Sequence, residues 1–198
     1  MSVEPRTRES ILAAAKEALL EVGYAGLSTR RIAEWAGVPL SQIHYHFRSK
    51  RNLILEVLAE ENRLLLQRQE GMYGQEMPLW KRWEQACDFL EDDLRSGYVR
   101  VLQEMTAVGW SEEEVASEVR DDLRGWFELL TEVAEEASRR LGGVMPFTPR
   151  ELAVLVGASF LGAEEMILLG FEERELPMRS ALRRVGEVIR VLEESGEG

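Results

Sequence analysis

Apolar residues recur at three- and four-residue intervals along the chain, and no stretch shows the strict alternation of a half-buried strand. That period admits helices only, so the expected fold class is all-α. A first helix, roughly 7–22, gathers Ile11, Leu12, Ala15, Ala18, Leu19 and Val22 on one face, with Gly23 suited to its C-terminal cap. Ser28 reads as the N-cap of a short helix, 29–36, after which Gly37 permits a left-handed turn. Pro39 opens a second short helix, 40–47, in which Ile43 and Phe47 are four apart and face inward. Ser49 caps a fourth helix to about Gln69, and 71–77 reads as a loop.

The body continues in longer helices, 78–95 and 98–108, then one to Leu141 that Ser111 and Glu114 would start as a capping box. Thr148, with Pro149 and Glu151 behind it, opens a helix of 148–169, and the last runs over 179–194, with a tail from Ser195 expected to fray. Within the penultimate helix, residues 152–163 are apolar nearly all round, which requires cover on every side, a second subunit included. Gly157, Ala158 and Gly162 there would allow a close helix approach.

Charge divides the chain unequally. Residues 1–53 hold eight Lys/Arg against five Glu, a net of +3, whereas the whole chain carries −12, so the remainder carries −15. A basic head on an acidic body implies that one end meets a polyanion and the other does not. A single cysteine, Cys87, excludes an internal disulfide framework and a cysteine-based zinc site, and reads as a small core residue. The two histidines, His44 and His46, are two apart and so diverge on a helix, a poor arrangement for one metal. With no histidine in the body, no motif-borne nucleophile and no metal cluster, neither an enzyme nor a resident cofactor is expected. No apolar leader and no run of about 18 apolar residues is present, so a soluble, cytoplasmic protein with no membrane partner is expected.

The pair of short helices joined at Gly37 is a helix-turn-helix arrangement. Arg30 and Arg31 stand in the first turn of the earlier helix, where the macrodipole disfavours cations by ~0.3–1 kcal/mol each. A phosphate at that end would use the backbone N–H groups, Thr29 and Arg30 together. The later helix presents Leu40, Ser41, Gln42, His44, Tyr45 and His46 outward, an uncharged set of donors, acceptors and rings suited to base edges in a major groove. Arg48, Lys50 and Arg51 flank it as phosphate-neutralising charges.

Two strings sharpen this reading: Ile32-Ala33-Glu34-Trp35-Ala36-Gly37-Val38, and Ile43-His44-Tyr45-His46-Phe47-Arg48-Ser49-Lys50 with Leu53. Together, over about residues 7–54, they closely resemble the DNA-binding domain of the TetR family of transcriptional regulators. The resemblance implies a three-helix DNA-binding domain, 1–54, and a larger helical ligand-binding and dimerisation domain, 55–198. It implies base and phosphate contacts from Leu40, Ser41, Gln42, His44, Tyr45 and His46, and backbone contacts from Thr29, Arg30 and Lys50. It further implies a homodimer through the last two helices, 148–169 and 179–194, and a palindromic double-stranded operator. A repressor released by an unidentified apolar or aromatic small-molecule effector is the expected mode.

Candidate effector-lining residues are Trp83, Phe89, Leu102, Met105, Trp110, Trp126, Phe127, Leu130, Phe160 and Glu164, although an aromatic or Met stripe at helical spacing more often marks a core. Glu104 and Glu164 follow apolar stretches and are read as solvated edges. The alternative is a DNA-bound adaptor or activator that acts through a protein partner on the acidic body.

Overall fold

The structure, a computed structural model, describes residues 3–196, with side chains over 6–195. Among them are nine helices and no strand: α1 (Val3–Gly26), α2 (Thr29–Ala36), α3 (Leu40–Phe47), α4 (Lys50–Tyr73), α5 (Leu79–Ser96), α6 (Tyr98–Gly109), α7 (Glu113–Arg140), α8 (Pro149–Leu168) and α9 (Met178–Gly196). They form two compact units. One comprises the chain to Leu64 with Gly97–Asp122; the other comprises Leu65–Ser96 with the chain from Leu123 onward.

In the first unit α1 packs on α2 and α6, and α2 on α3. Ile11, Ala15, Ala18 and Leu19 of α1 are wholly buried, as are Ile32, Ile43, Leu53, Ile54, Val99, Val101, Met105 and Val115. Each large aliphatic removed from water in this way stabilises the fold by about 1.5–3 kcal/mol. The helical run of α1 breaks at Gly23 (φ 68°, ψ 168°), where the sequence placed its cap, and a last turn follows to Gly26. The expected boundary at residue 54 is narrower than this compact unit, because α6 and the start of α7 supply part of its apolar interior. Asn62 is buried and satisfied: it donates to Asp122 Oδ1 (3.1 Å) and accepts from the Tyr98 hydroxyl (3.4 Å).

The second unit packs α5 against α9 and α8. Cys87, Leu90, Phe160, Ala163 and Leu182 form one cluster, with Trp83, Trp126, Val156 and Met178 against it. Leu130, Ala134 and Ala153 form a second, bordered by Phe127. Cys87 is the core residue its type implied, and burial pushes its thiol up to about 11. Gly157 admits the Phe127 ring, which a Cβ there would strike, so one of the three small residues of α8 serves contact within the chain. Buried Arg82 is matched by Glu136 (2.7 Å) and by the Gln75 carbonyl (2.8 Å), as a desolvated guanidinium requires. Glu193 of α9 accepts from the N–H groups of Leu79 and Trp80 at the start of α5 (2.9 and 3.1 Å) and pairs with Arg140 (2.7 Å). A carboxylate at that helix N-terminus also suits the macrodipole.

Some local expectations change. Ser111 does not cap α7; its hydroxyl donates to the Val108 carbonyl instead, and Glu114 pairs with Arg51. The capping box stands one helix later, where Thr148 and Glu151 bond reciprocally. α4 continues through Gly71 to Tyr73, since propagating an existing helix by a turn is cheaper than ending it at an exposed glycine. Ser195 remains helical, its hydroxyl donating to the Val191 carbonyl, while residues 197–198 of the expected frayed tail lie outside the described residues.

Candidate nucleic-acid interface

The side chain of Ser28, extended at φ −135°, accepts from the Arg31 N–H (3.2 Å) and starts α2. Gly37 takes the left-handed conformation (φ 65°, ψ 31°), and the N–H of Val38 closes the helix onto the Ala33 carbonyl (3.0 Å). Pro39 then leads into α3, which is pinned from below by Ile43 and Phe47, both buried. With two of eight residues anchored, the other positions divide by height. Ser41, His44 and Tyr45 are exposed, Tyr45 at 70%, whereas Leu40, Gln42 and His46 are half-buried. His46 is the least available of the set, because its ring lies between Tyr45 (5.0 Å) and Phe47 (5.9 Å) and its Nε2 is buried.

The cations around α3 differ in their commitments. Arg30 is exposed at the start of α2, beside half-buried Thr29. Arg31 lies over the Trp35 ring (5.7 Å) and near Glu21 (3.5 Å). Arg48 is exposed with φ 65°, an unusual conformation for a residue with a side chain, and its N–H donates to the His44 carbonyl (3.2 Å). Arg51 is held by Glu112 (3.2 Å) and Glu114, so it is not the available phosphate charge its position implied. Lys50 donates to the Tyr24 carbonyl (2.9 Å) with its ammonium 4.1 Å from the Tyr24 ring centre. Since an ammonium has three N–H donors, this bond leaves two for a phosphate. Burial raises the Tyr24 phenol above its usual range, Glu112 adds to the rise, and Arg51 opposes it.

The residues proposed as effector-lining fall in both compact units. Leu102 and Met105 are interior to the first unit. Trp110 is 81% exposed at the end of α6. Trp83, Trp126, Phe127, Leu130 and Phe160 belong to the clusters of the second unit, and Phe89 faces the Arg68 guanidinium (4.3 Å). The indole N–H groups of Trp83 and Trp126 are used by the Leu182 carbonyl (2.6 Å) and Gln69 (3.1 Å). Neither glutamate read as a solvated edge is one: Glu164 is buried, and half-buried Glu104 accepts from the Tyr24 N–H (2.8 Å). Sequence reasoning missed Tyr24 and its bond to Glu104, which joins residues 80 apart and leaves no local signature. Among the described residues no group of three His, Cys, Asp or Glu is placed to hold a metal, and no helix is long and apolar enough to cross a membrane.

A glycine-hinged helix pair over an apolar base, with an uncharged exposed face and cations at its margins, defines a helix-turn-helix module. Residues 11–57 match the family described as "Bacterial regulatory proteins, tetR family". Over 53 residues the chain is 47% identical to the tetracycline repressor protein class C of Escherichia coli, 27% of this chain and 24% of that protein. The match thus spans about a quarter of that relative's length. Two solved structures share the fold. One is the transcriptional regulator FadR from Bacillus subtilis in complex with stearoyl-CoA (15% identity, TM-score 0.76, 91% of this chain and 96% of that one). The other is a TetR-family transcriptional regulator from Agrobacterium tumefaciens (21%, 0.76, 96% and 98%).

Proposed function

We propose that this chain is a DNA-binding transcriptional regulator that works as a homodimer, with α3 of each protomer in a major groove of a palindromic operator. The observation that carries the reading is the exposed, uncharged face of α3, led by Tyr45, on a segment that matches the TetR family. Phosphates would be held at the start of α2 by Thr29 and Arg30, and beside α3 by Lys50 and Arg48. The self-partner reading rests on α8 and α9, whose Val154, Leu155, Val188, Val191 and Leu192 are each half or more exposed. Several large apolar side chains exposed on two helices are normally covered by another subunit. A two-fold pair would set the reading helices about 34–36 Å apart, one turn of DNA.

The mode is repression relieved by an apolar or aromatic small molecule, in keeping with the repressor named among the relatives and the acyl-CoA bound by one structural neighbour. Such a ligand acts by its differential affinity for two subunit arrangements. Selection from a randomised duplex pool at near-physiological salt tests the reading. Enrichment of an inverted repeat with half-sites one helical turn apart is the expected result; no enrichment by a folded dimer, before and after refolding to strip bound ligand, would overturn it.

A further inference from the structure

α1 does not end as a plain helix. At Gly23 the backbone turns to positive φ, and the next residue, Tyr24, is held on both sides of its peptide chain. Its N–H donates to Glu104 Oε2 of α6 (2.8 Å), and its carbonyl accepts from Lys50 Nζ of α4 (2.9 Å). The Tyr24 ring underlies the same ammonium at 4.1 Å. Glu104 is in turn steadied by Arg100, one turn earlier on α6 (3.4 Å). Glycine suits this joint, because φ is 68° there and a Cβ at position 23 would lie a tight 3.0 Å from Glu104 Oε1. All of these residues belong to the first compact unit.

From this geometry we infer that Glu104 is a positioning residue for the DNA phosphate contact, acting on Lys50 through Tyr24. The inference rests on the DNA-binding reading above and adds a residue of α6 to it. Glu104 touches no DNA in this account. It fixes the orientation of the Tyr24 backbone, and that backbone with its ring seats an ammonium which would otherwise sample many rotamers. An ammonium already seated gives up less side-chain freedom on meeting a phosphate. Without Glu104 the joint at residues 23–24 is free to turn, and Lys50 loses its seat although it is itself unchanged.

The test measures binding to a fluorescent, mixed-sequence duplex of about 30 base pairs, long enough for two half-sites, across a salt series. Glu104→Ala is expected to weaken binding about tenfold, within the usual range for a coupled site, and to shallow the salt slope by about 0.9 per protomer, one phosphate contact. In a Lys50→Ala background the same substitution should do nothing further. Glu104→Gln keeps an acceptor for the Tyr24 N–H and should retain wild-type affinity and slope. Glu104→Asp keeps the charge but is one methylene short, and should behave like alanine; it serves also if the alanine variant fails to fold. Equal losses in the wild-type and Lys50→Ala backgrounds, an unchanged affinity in both Glu104→Ala and Glu104→Asp, or failure of glutamine to rescue would each overturn the inference. If the wild-type protein itself binds no duplex at low salt, the DNA-binding reading falls and takes the role of Glu104 with it.

Discussion

Two surfaces of this molecule leave large side chains in water, and they do so with opposite chemistry. On α3 the exposed positions are a tyrosine, a histidine and a serine, with arginines and a lysine near the helix ends. On α8 and α9 they include the valines and leucines Val154, Leu155, Val185, Val188, Val191 and Leu192, with Arg183, Arg184, Glu187 and Arg190 exposed beside those of α9. The first surface can satisfy hydrogen-bonding groups on a polar, charged partner; the second can only be relieved by another apolar surface. Both rest on helices whose inner faces are ordinary core, so the difference arises from the outer positions alone. On the proposed function, the first face would meet nucleic acid and the second another copy of the chain.

The largest effect is expected at the apolar surface. Replacing Leu155 and Val188 together by Asp places charges where a partner would desolvate them, at several kcal/mol each. The expected outcome is a folded monomer at micromolar concentration by sedimentation, with operator affinity lost; an unchanged dimer would show that α8 and α9 are not the interface. Tyr45→Ala addresses the other surface. With a base-edge contact worth about 1–3 kcal/mol per protomer, it should cost roughly ten- to a hundredfold or more in operator affinity while the dimer persists. Equal affinity would remove Tyr45 from the reading set.

Smaller effects sharpen the contrast. Lys50→Ala should weaken binding to all sequences alike, with a salt slope shallower by about 0.9 per protomer, and a change in base preference instead would contradict a phosphate role. The hydrogen bond from Arg82 holds the Glu136 carboxyl below its usual range, with further help from the Arg82 and Arg140 charges. A depressed acid contributes stability that is present above its unfolded value of about 4.5 and is lost as pH falls through the folded one. Glu136→Gln should therefore flatten part of the acid side of the stability profile in thermal melts, leaving DNA binding at neutral pH unaltered. Trp110→Ala should change stability by less than about 0.5 kcal/mol, as expected for an exposed side chain.

The reading segment was the most legible part of the chain because its limits are local. Ser28, Gly37 and Pro39 each act on their immediate neighbours, and α2 and α3 begin and end where those residues place them. Thr148 and Glu151 likewise announced α8. The one-sided stripe of α7 identified a helix but not its first residue, since Ser111 found the Val108 carbonyl instead of its own helix. Burial of Glu164, the hold of Glu104 on Tyr24, and the capture of Arg51 by Glu112 and Glu114 depend on helices distant in sequence, and no periodicity reveals them. Trp110 did carry a warning: the run Ser111-Glu112-Glu113-Glu114 that follows it is the composition of a solvated corner.

Base reading by α3 can be tested by repeating the duplex selection with Gln42→Lys. Glutamine pairs bidentately with adenine and lysine with guanine, so preference should move toward guanine at two positions related by the two-fold axis, with the rest of the site unchanged. An identical site for both proteins, or a shift at unrelated positions, would contradict α3 as the reading helix.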